Sequence, residues 1–516
     1  MIRMKLKVGS MMKSKIAGVA FVGLMAVVVA TAAAAQVTLP KLLGSHMVVQ
    51  RDLPVHVWGM AGAGEAVSVS FRGETVTVTA SKLGRWSLYL KPGAAGGPFT
   101  MNVTGTPAAG GAQDAVALED VLVGDVWVAS GQSNMEFPLK RASTAATDLP
   151  NAANPRIRLL MVGRKPADFA QDDIETKGWT ESTPETAKDF SAVAWFFARE
   201  IADKEHVAVG VIDSTWGGTP AEAWTRVEAL GEDASLNSLF THWGKMTDEE
   251  IIAELSQKDE QRQKDEAKAA GKPEPQFPWH PDLLSYGPGM LWNGMIAPLT
   301  PMAIRGVIWY QGETNAGVER YPIYDKTMRV LIEDWRRQWG VGAFPFLFTQ
   351  IANYKTGPED SWAHLRDQQL RTLGLANTGM AVTIDIGNPD DIHPTNKVEV
   401  GHRLALWARA LEYGEDINYS GPLFRQATQE ESSIRAWFDH HAKGLVAKGG
   451  ELTGWEVAGA DGKFVPATAK IDGNTVVVTS DVVPEPRFVR YGWASSPDCN
   501  LFNGEGLPAS PFTSVQ

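Results

Sequence analysis

Between Leu118 and Tyr419 the chain repeats one pattern: a short, almost wholly apolar run, a turn, and a segment with helical spacing. The apolar runs are LVGDVWVAS, VAVGVIDSTWGG, IRGVIWYQGE, FPFLFTQI and GMAVTIDIG. A strand that is apolar on both faces needs cover on both faces, and parallel strands need connections long enough to hold a helix. The pattern therefore predicts an α/β fold, a parallel sheet flanked by helices in three α/β/α layers. DFSAVAWFFAREIADK predicts one covering helix, with Asp189 or Ser191 as N-cap, and YDKTMRVLIEDWRRQWG predicts another, closed by Gly340. The charge-rich stretch from Glu249 to Gly271 reads as part of a helical excursion into solvent over about residues 232–285.

The flanks have a different period. HVWGMAGAGEAVSVSFRGETVTVTA alternates apolar and polar residues and breaks at glycines, and GRWSLYL and PFTMNVTG continue it. This predicts a small β-sandwich over residues 36–117, with TPAAGGAQDA as linker. GNTVVVTSDVV and FVRYGWAS predict a second sandwich over 429–516, leaving 118–428 to the α/β part. Several domains are expected of 516 residues.

Residues 1–35 read as a signal peptide. Arg3, Lys5, Lys7, Lys13 and Lys15 precede an apolar run from Ile16 to Ala30, and Ala33 and Ala35 suit cleavage before Gln36. The run is short for a membrane span and lacks a basic flank behind it, so an uncleaved anchor is the weaker reading. Removing those five basic residues takes the formal charge from −12 to −17. So acidic a body repels nucleic acid and anionic membranes. Cys499 is the single cysteine, which rules out an intramolecular disulfide and Cys-based zinc sites. Export without disulfides points to a bacterial periplasm or the cell exterior.

Ligands of a parallel sheet bind at the carboxyl ends of its strands. Four such ends carry unusual polar residues. GQSNM, Gly131 to Met135, places Ser133 at a tight strand-to-helix turn, where it reads as a nucleophile or as a helix N-cap. WGGT, Trp216 to Thr219, allows close backbone approach to a substrate, or is a plain turn. YQGETN, Tyr310 to Asn315, offers amides that could donate to an oxyanion, with Glu313 as a substrate contact or an organiser of its neighbours. NPDDIHP, Asn388 to Pro394, sets His393 beside Asp390 and Asp391, as a base oriented by a carboxylate. The same three residues could be read as metal ligands, but a hydrolytic zinc site usually has a further ligand at helical or strand spacing, and no HExxH is present. His440 and His441 read as exposed, and His364 and His402 as helical residues.

Serine first, donors between, and an Asp/His block last is also the order of SGNH hydrolases. GQSNMEFPL, VIDSTWGGTPAEAW, NGMIAPL with GVIWYQGETN, DIHPTNKVEVGHRLAL and the terminal RYGWASSPDCNLFNGEGLPASPF resemble the sialate O-acetylesterase-like branch of SGNH carbohydrate esterases, over about residues 40–513. The resemblance implies an SGNH-type sheet with Ser133 as nucleophile and His393 as general base. It implies Gly218 and Gln311 as oxyanion donors, with Gly217 and Asn315 as alternatives, and Asn134, Trp216, Gly217, Glu313 and Asn315 as substrate contacts. The family's DxxH spacing selects Asp390 as the partner of His393, slightly favoured, whereas the DIHP form selects Asp391. No cofactor is implied. The implied substrate is an acetylated carbohydrate, either sialic acid or a plant polysaccharide such as xylan or xyloglucan. A lipase or thioesterase for longer acyl chains, or a non-catalytic carbohydrate-binding protein, are the alternatives. The 18 tryptophans suit sugar stacking, although most belong to cores.

Overall fold

A computed structural model of the chain describes residues 37–107, 113–275, 283–356 and 361–515; for 248–257 it describes the backbone only. The expected signal segment therefore lies outside the described residues, as does part of the expected linker. Among the described residues no helix is long and apolar enough to cross a membrane.

The apolar runs pair as the α/β pattern requires. Across the sheet the order is Thr378–Ala381, Phe346–Thr349, Gly306–Tyr310, Asp114–Gly131, Val209–Thr215, Asn154–Met161 and Thr180–Ser182. The first six are parallel, and Thr180–Ser182 closes the edge antiparallel. Every residue of Val209–Thr215, Gly306–Tyr310, Phe346–Thr349 and Thr378–Ala381 is buried, because helices cover both faces. Ala192–Glu205 and Lys397–Leu411 share one apolar cluster with one face; Tyr324–Trp339 and Ser361–Thr372 share another with the opposite face. Ser191, not Asp189, caps its helix, accepting from the Ala194 N–H at 3.1 Å; Asp189 instead pairs with Lys140. Gly340 ends Tyr324–Trp339 in the left-handed conformation (φ 65°), as its position predicts. The excursion is a 33-residue helix, Asn237–Ala269, whose described outer end carries exposed pairs such as Arg262 with Glu266.

Strand order reverses at Asp114–Gly131. The chain moves from there to one side for Asn154–Met161 and Val209–Thr215, then to the other for Gly306–Tyr310 and beyond. In open α/β sheets, ligands bind at the carboxyl ends of the strands beside such a reversal.

The flanks join the sheet in two ways. Asp114–Gly131 is an 18-residue strand, so the sequence-based boundary at 117/118 falls inside it. Its first half pairs antiparallel with Gly96–Thr106, which pairs with Ala66–Phe71, and its second half is the central parallel strand. Val55–Met60 pairs antiparallel with Arg85–Leu90, across the intervening strands Ala66–Phe71 and Glu74–Thr79, as a separate two-stranded sheet in this flank. The C-terminal flank instead forms small antiparallel sheets, chiefly Leu423–Glu430, Ser433–Asp439, Thr475–Thr479 and Thr468–Asp472, and Val465–Pro466, Trp455–Ala458, Phe488–Tyr491 and Phe512–Thr513, around a core of Phe438, Trp455, Tyr491 and Phe512. His440 was expected to be exposed; it is half-buried, packing its ring against Tyr419 at 4.9 Å.

Candidate active site

Three of the four polar blocks end adjacent central strands, and the fourth loops back to meet them. Gly131 turns the first with φ 131°, and a Cβ there would lie 2.2 Å from the Tyr310 carbonyl oxygen. That carbonyl accepts from the Gln132 N–H at 3.0 Å. Ser133 then opens the short helix Ser133–Glu136 and is half-buried.

His393 arrives on the long connection after Thr378–Ala381. Its Nε2 lies 2.8 Å from Ser133 Oγ, although 260 positions separate the two residues. Asp391 is the carboxylate at the ring. One oxygen accepts the His393 backbone N–H at 2.9 Å and stands 3.9 Å from Nδ1. Asp390, favoured from the spacing, points away: its side chain is 81% exposed and its partner is Lys355 at 3.4 Å. A two-residue turn, bridged between Asn388 and Asp391, sends successive side chains in different directions. Burial, then the Lys397 cation, hold the imidazole below its ordinary pKa; Asp391 opposes them, Arg141 adds to them, and Glu136 opposes. Neutral imidazole, the form that accepts a proton, is therefore favoured.

The glycine block lies against the nucleophile. A Cβ on Gly217 would lie 3.2 Å from Ser133 Cβ and 2.9 Å from Glu136 Oε2. The Gly217 N–H is engaged, donating to Glu136 Oε2 at 2.8 Å. Arg164 holds the other oxygen of Glu136 and spreads over the Trp216 ring at 5.5 Å. Gly218 has φ 79°, a conformation that favours glycine. Among the described residues, the Ser133 and Gly218 N–H groups donate to no acceptor within the protein.

The QGE block faces inward, against expectation. Gln311 is fully buried; its Nε2 donates to the Thr219 carbonyl (3.2 Å) and Asn315 Oδ1 (2.6 Å), and its Oε1 accepts from Tyr324 O–H (2.8 Å). Asn315 is equally committed, to the Ala221 N–H and to Glu222, which Arg320 pairs at 2.8 Å. Both amides bind the glycine block to the neighbouring strand end, and the two hydrogens of the Gln311 amide are both taken, leaving none for an oxyanion. Tyr324, Trp224 and Trp309 are likewise core residues.

Asn134 and Glu313 meet beneath the dyad. Asn134 Nδ2 donates to Glu313 Oε1 at 2.5 Å and to the Ile392 carbonyl at 3.0 Å. Asn134 Oδ1 accepts from Lys397 Nζ at 2.5 Å. Lys397, Glu136 and Arg164 are site residues that pattern reading missed. Lys397 begins a helix, where a lysine ordinarily reads as solvated, and only its place four residues after His393 hinted at its position. Among the described residues no group of three or more His, Cys, Asp or Glu is arranged to hold a metal ion.

Known proteins share this arrangement of chain. Residues 279–409 match the family model described as carbohydrate esterase, sialic acid-specific acetylesterase. Human sialate O-acetylesterase is 31% identical over 417 residues, covering 74% of this chain and 72% of that protein. The rat protein is 29% identical over 535 residues, covering 91% and 93%. The crystal structure of a carbohydrate acetylesterase from Xanthomonas citri superposes with a TM-score of 0.79 at 39% identity, covering 92% of this chain and 99% of that one. By likeness along most of its length, the chain belongs to the sialate O-acetylesterase family of carbohydrate esterases.

Proposed function

We propose that the chain hydrolyses acetyl esters on sugars through an acetyl-enzyme on Ser133. The observation that carries this reading is the 2.8 Å approach of Ser133 Oγ to His393 Nε2 at the sheet's reversal point. His393 takes the Ser133 proton as Oγ attacks the acetyl carbonyl. The negative charge on the carbonyl oxygen settles on the N–H groups of Ser133 and Gly218, at a helix start and a glycine turn. His393 returns the proton to the departing sugar hydroxyl, then activates the water that frees acetate. Asp391, close to Nδ1, favours the imidazolium that forms in each step. Trp216, beside the glycine block and half-exposed, offers a ring face to the sugar. The basic, apolar and alanine-rich leader supports export to a bacterial periplasm or beyond.

Acetate release from p-nitrophenyl acetate tests the reading. Ser133→Ala should lower kcat by roughly 10⁴-fold or more. Equal turnover by that variant, or no labelling of Ser133 by a fluorophosphonate, would refute it. A panel of acetylated sialosides, xylan and xyloglucan then ranks the sugars, and comparing acetate with octanoate esters tests for longer acyl chains.

A further inference from the structure

One side chain ties the loops of the nucleophile and the base together. Asn134 follows Ser133, and through Nδ2 it grips the carbonyl of Ile392, the residue before His393. The amide is fixed at both ends. Lys397 only donates and the Glu313 carboxylate only accepts, so the two together dictate which way Asn134 faces. Asn134 is 1% exposed and Lys397 is fully buried, with its ammonium 4.9 Å from the Phe137 ring and 5.2 Å from the Tyr310 ring. A lysine kept out of water against two aromatic faces is costly unless it is paired and hydrogen-bonded. Here the pairing is routed through the residue that bridges the dyad's two loops, not made directly with a surface carboxylate.

We propose that Lys397 is a positioning residue: through Asn134 and Glu313 it holds the Ser133 and His393 loops at bonding distance and sets a cation beside the base. The proposal rests on the serine-esterase reading. His393 faces Asp391, Lys397, Arg141 and Glu136; Lys397 faces Glu313, Asp391 and Arg141. Burial brings the Lys397 amine down to about 7, against the pull of Glu313 and Asp391. His393 titrates below its ordinary value, and the Lys397 charge is the largest cause after burial. Removing the cation removes a like charge, and the imidazole then protonates at higher pH.

The test uses p-nitrophenyl acetate turnover across the acid limb of the pH profile. Ser133→Ala in the same assay checks the underlying reading independently, since its loss of turnover does not depend on Lys397. Lys397→Met should lower kcat roughly 10–10²-fold with KM within about threefold, and move the acid limb up by about half a pH unit or more. Asn134→Ala should lower kcat comparably without an upward shift of the limb, because the cation stays. The double variant should be no slower than the slower single one within about threefold, as expected of residues that act as a unit. A folded Lys397→Met with wild-type kcat and an unmoved limb would overturn the proposal. Should that variant not fold, wild-type kcat in Asn134→Ala overturns it instead.

Discussion

The two β-rich flanks are of similar kind but attach to the sheet by different means. The N-terminal flank joins by backbone: one strand, Asp114–Gly131, belongs to its sheet and to the central one. Its side-chain seam lies at the amino end of the parallel part, where the buried Asp125 carboxylate binds Arg51 at 2.8 Å, Arg305 at 2.9 Å and Tyr413 O–H at 2.9 Å. The C-terminal flank grips the opposite end. Arg366, fully buried, donates to the carbonyls of Ile351 and Ala352 on the catalytic side and of Ala494 and Ser495 on the flank. Ser495 also meets the Tyr354 N–H and Thr356, and Ser496 meets Asn353. Lys355, in the middle of that segment, donates its N–H to the Pro389 carbonyl of the His393 loop at 2.9 Å. A chain of contacts therefore runs from the C-terminal flank to the base. The N-terminal flank holds the sheet, and the C-terminal flank holds the loop that carries the imidazole.

Four substitutions sharpen or break this contrast, from the largest expected effect to the smallest. Arg366→Leu takes the donor from the Ile351 and Ala494 carbonyls, leaves Ala352 with Trp362 alone and Ser495 with the Tyr354 N–H alone, and should cost about 3 kcal/mol of stability. Because it loosens the His393 loop, it should also lower kcat/KM; thermal unfolding and turnover on the same sample check both. Asp125→Asn removes the buried charge shared by Arg51 and Arg305, leaving Arg305 its pairing with Glu412, and should cost about 3 kcal/mol, yet leave kcat within about twofold at a temperature where the variant is folded. Lost turnover in this variant would erase the distinction between the flanks. Burial alone would raise the Asp125 pKa, but Arg51 and Arg305 outweigh it and hold the carboxyl low. Its contribution is therefore full above the ordinary carboxylate pKa and is lost as pH falls through the depressed folded value. Acid unfolding of wild type should include this loss, and Asp125→Asn should flatten it.

Asp391→Asn should slow kcat by roughly 10–10²-fold. That is less than for a carboxylate in direct contact with the ring, because Asp391 stands 3.9 Å from Nδ1 and is 51% exposed. Asp390→Asn, which removes only the exposed pairing with Lys355, should stay within about twofold. The reverse order between the two aspartates would restore the DxxH assignment.

Much of this was legible in the chain, because the physics behind it is local or periodic. Apolar runs such as IRGVIWYQGE declare a strand covered on both faces, and their polar ends mark the rim where Ser133 and His393 meet. Direction was not legible. Gln311 reads the same whether its amide faces the substrate or, as here, bonds Thr219 and Asn315. Asp390 and Asp391 differ by one position in a turn, and only the path of that turn decides which carboxylate sits at the ring. Lys397 was hidden for a related reason: nothing local distinguishes a lysine that stretches into solvent from one drawn between Phe137 and Tyr310. The proposed boundary at 117/118 followed from a change in period, but a change in period marks a change of cover and need not interrupt a strand.

The unbroken strand also limits how this protein can be taken apart. Ser133 stands two positions beyond a ribbon whose other end is stitched to Gly96–Thr106, so the nucleophile and the leading sheet travel as a single piece. A chimera that exchanges the N-terminal sheet for a foreign one must splice within a hydrogen-bonded ladder, and a shortened chain beginning near Leu118 would bare the backbone donors and acceptors of an orphaned edge, inviting self-association. The trailing sheets, joined through side chains and loops, are the better place to graft a new binding surface.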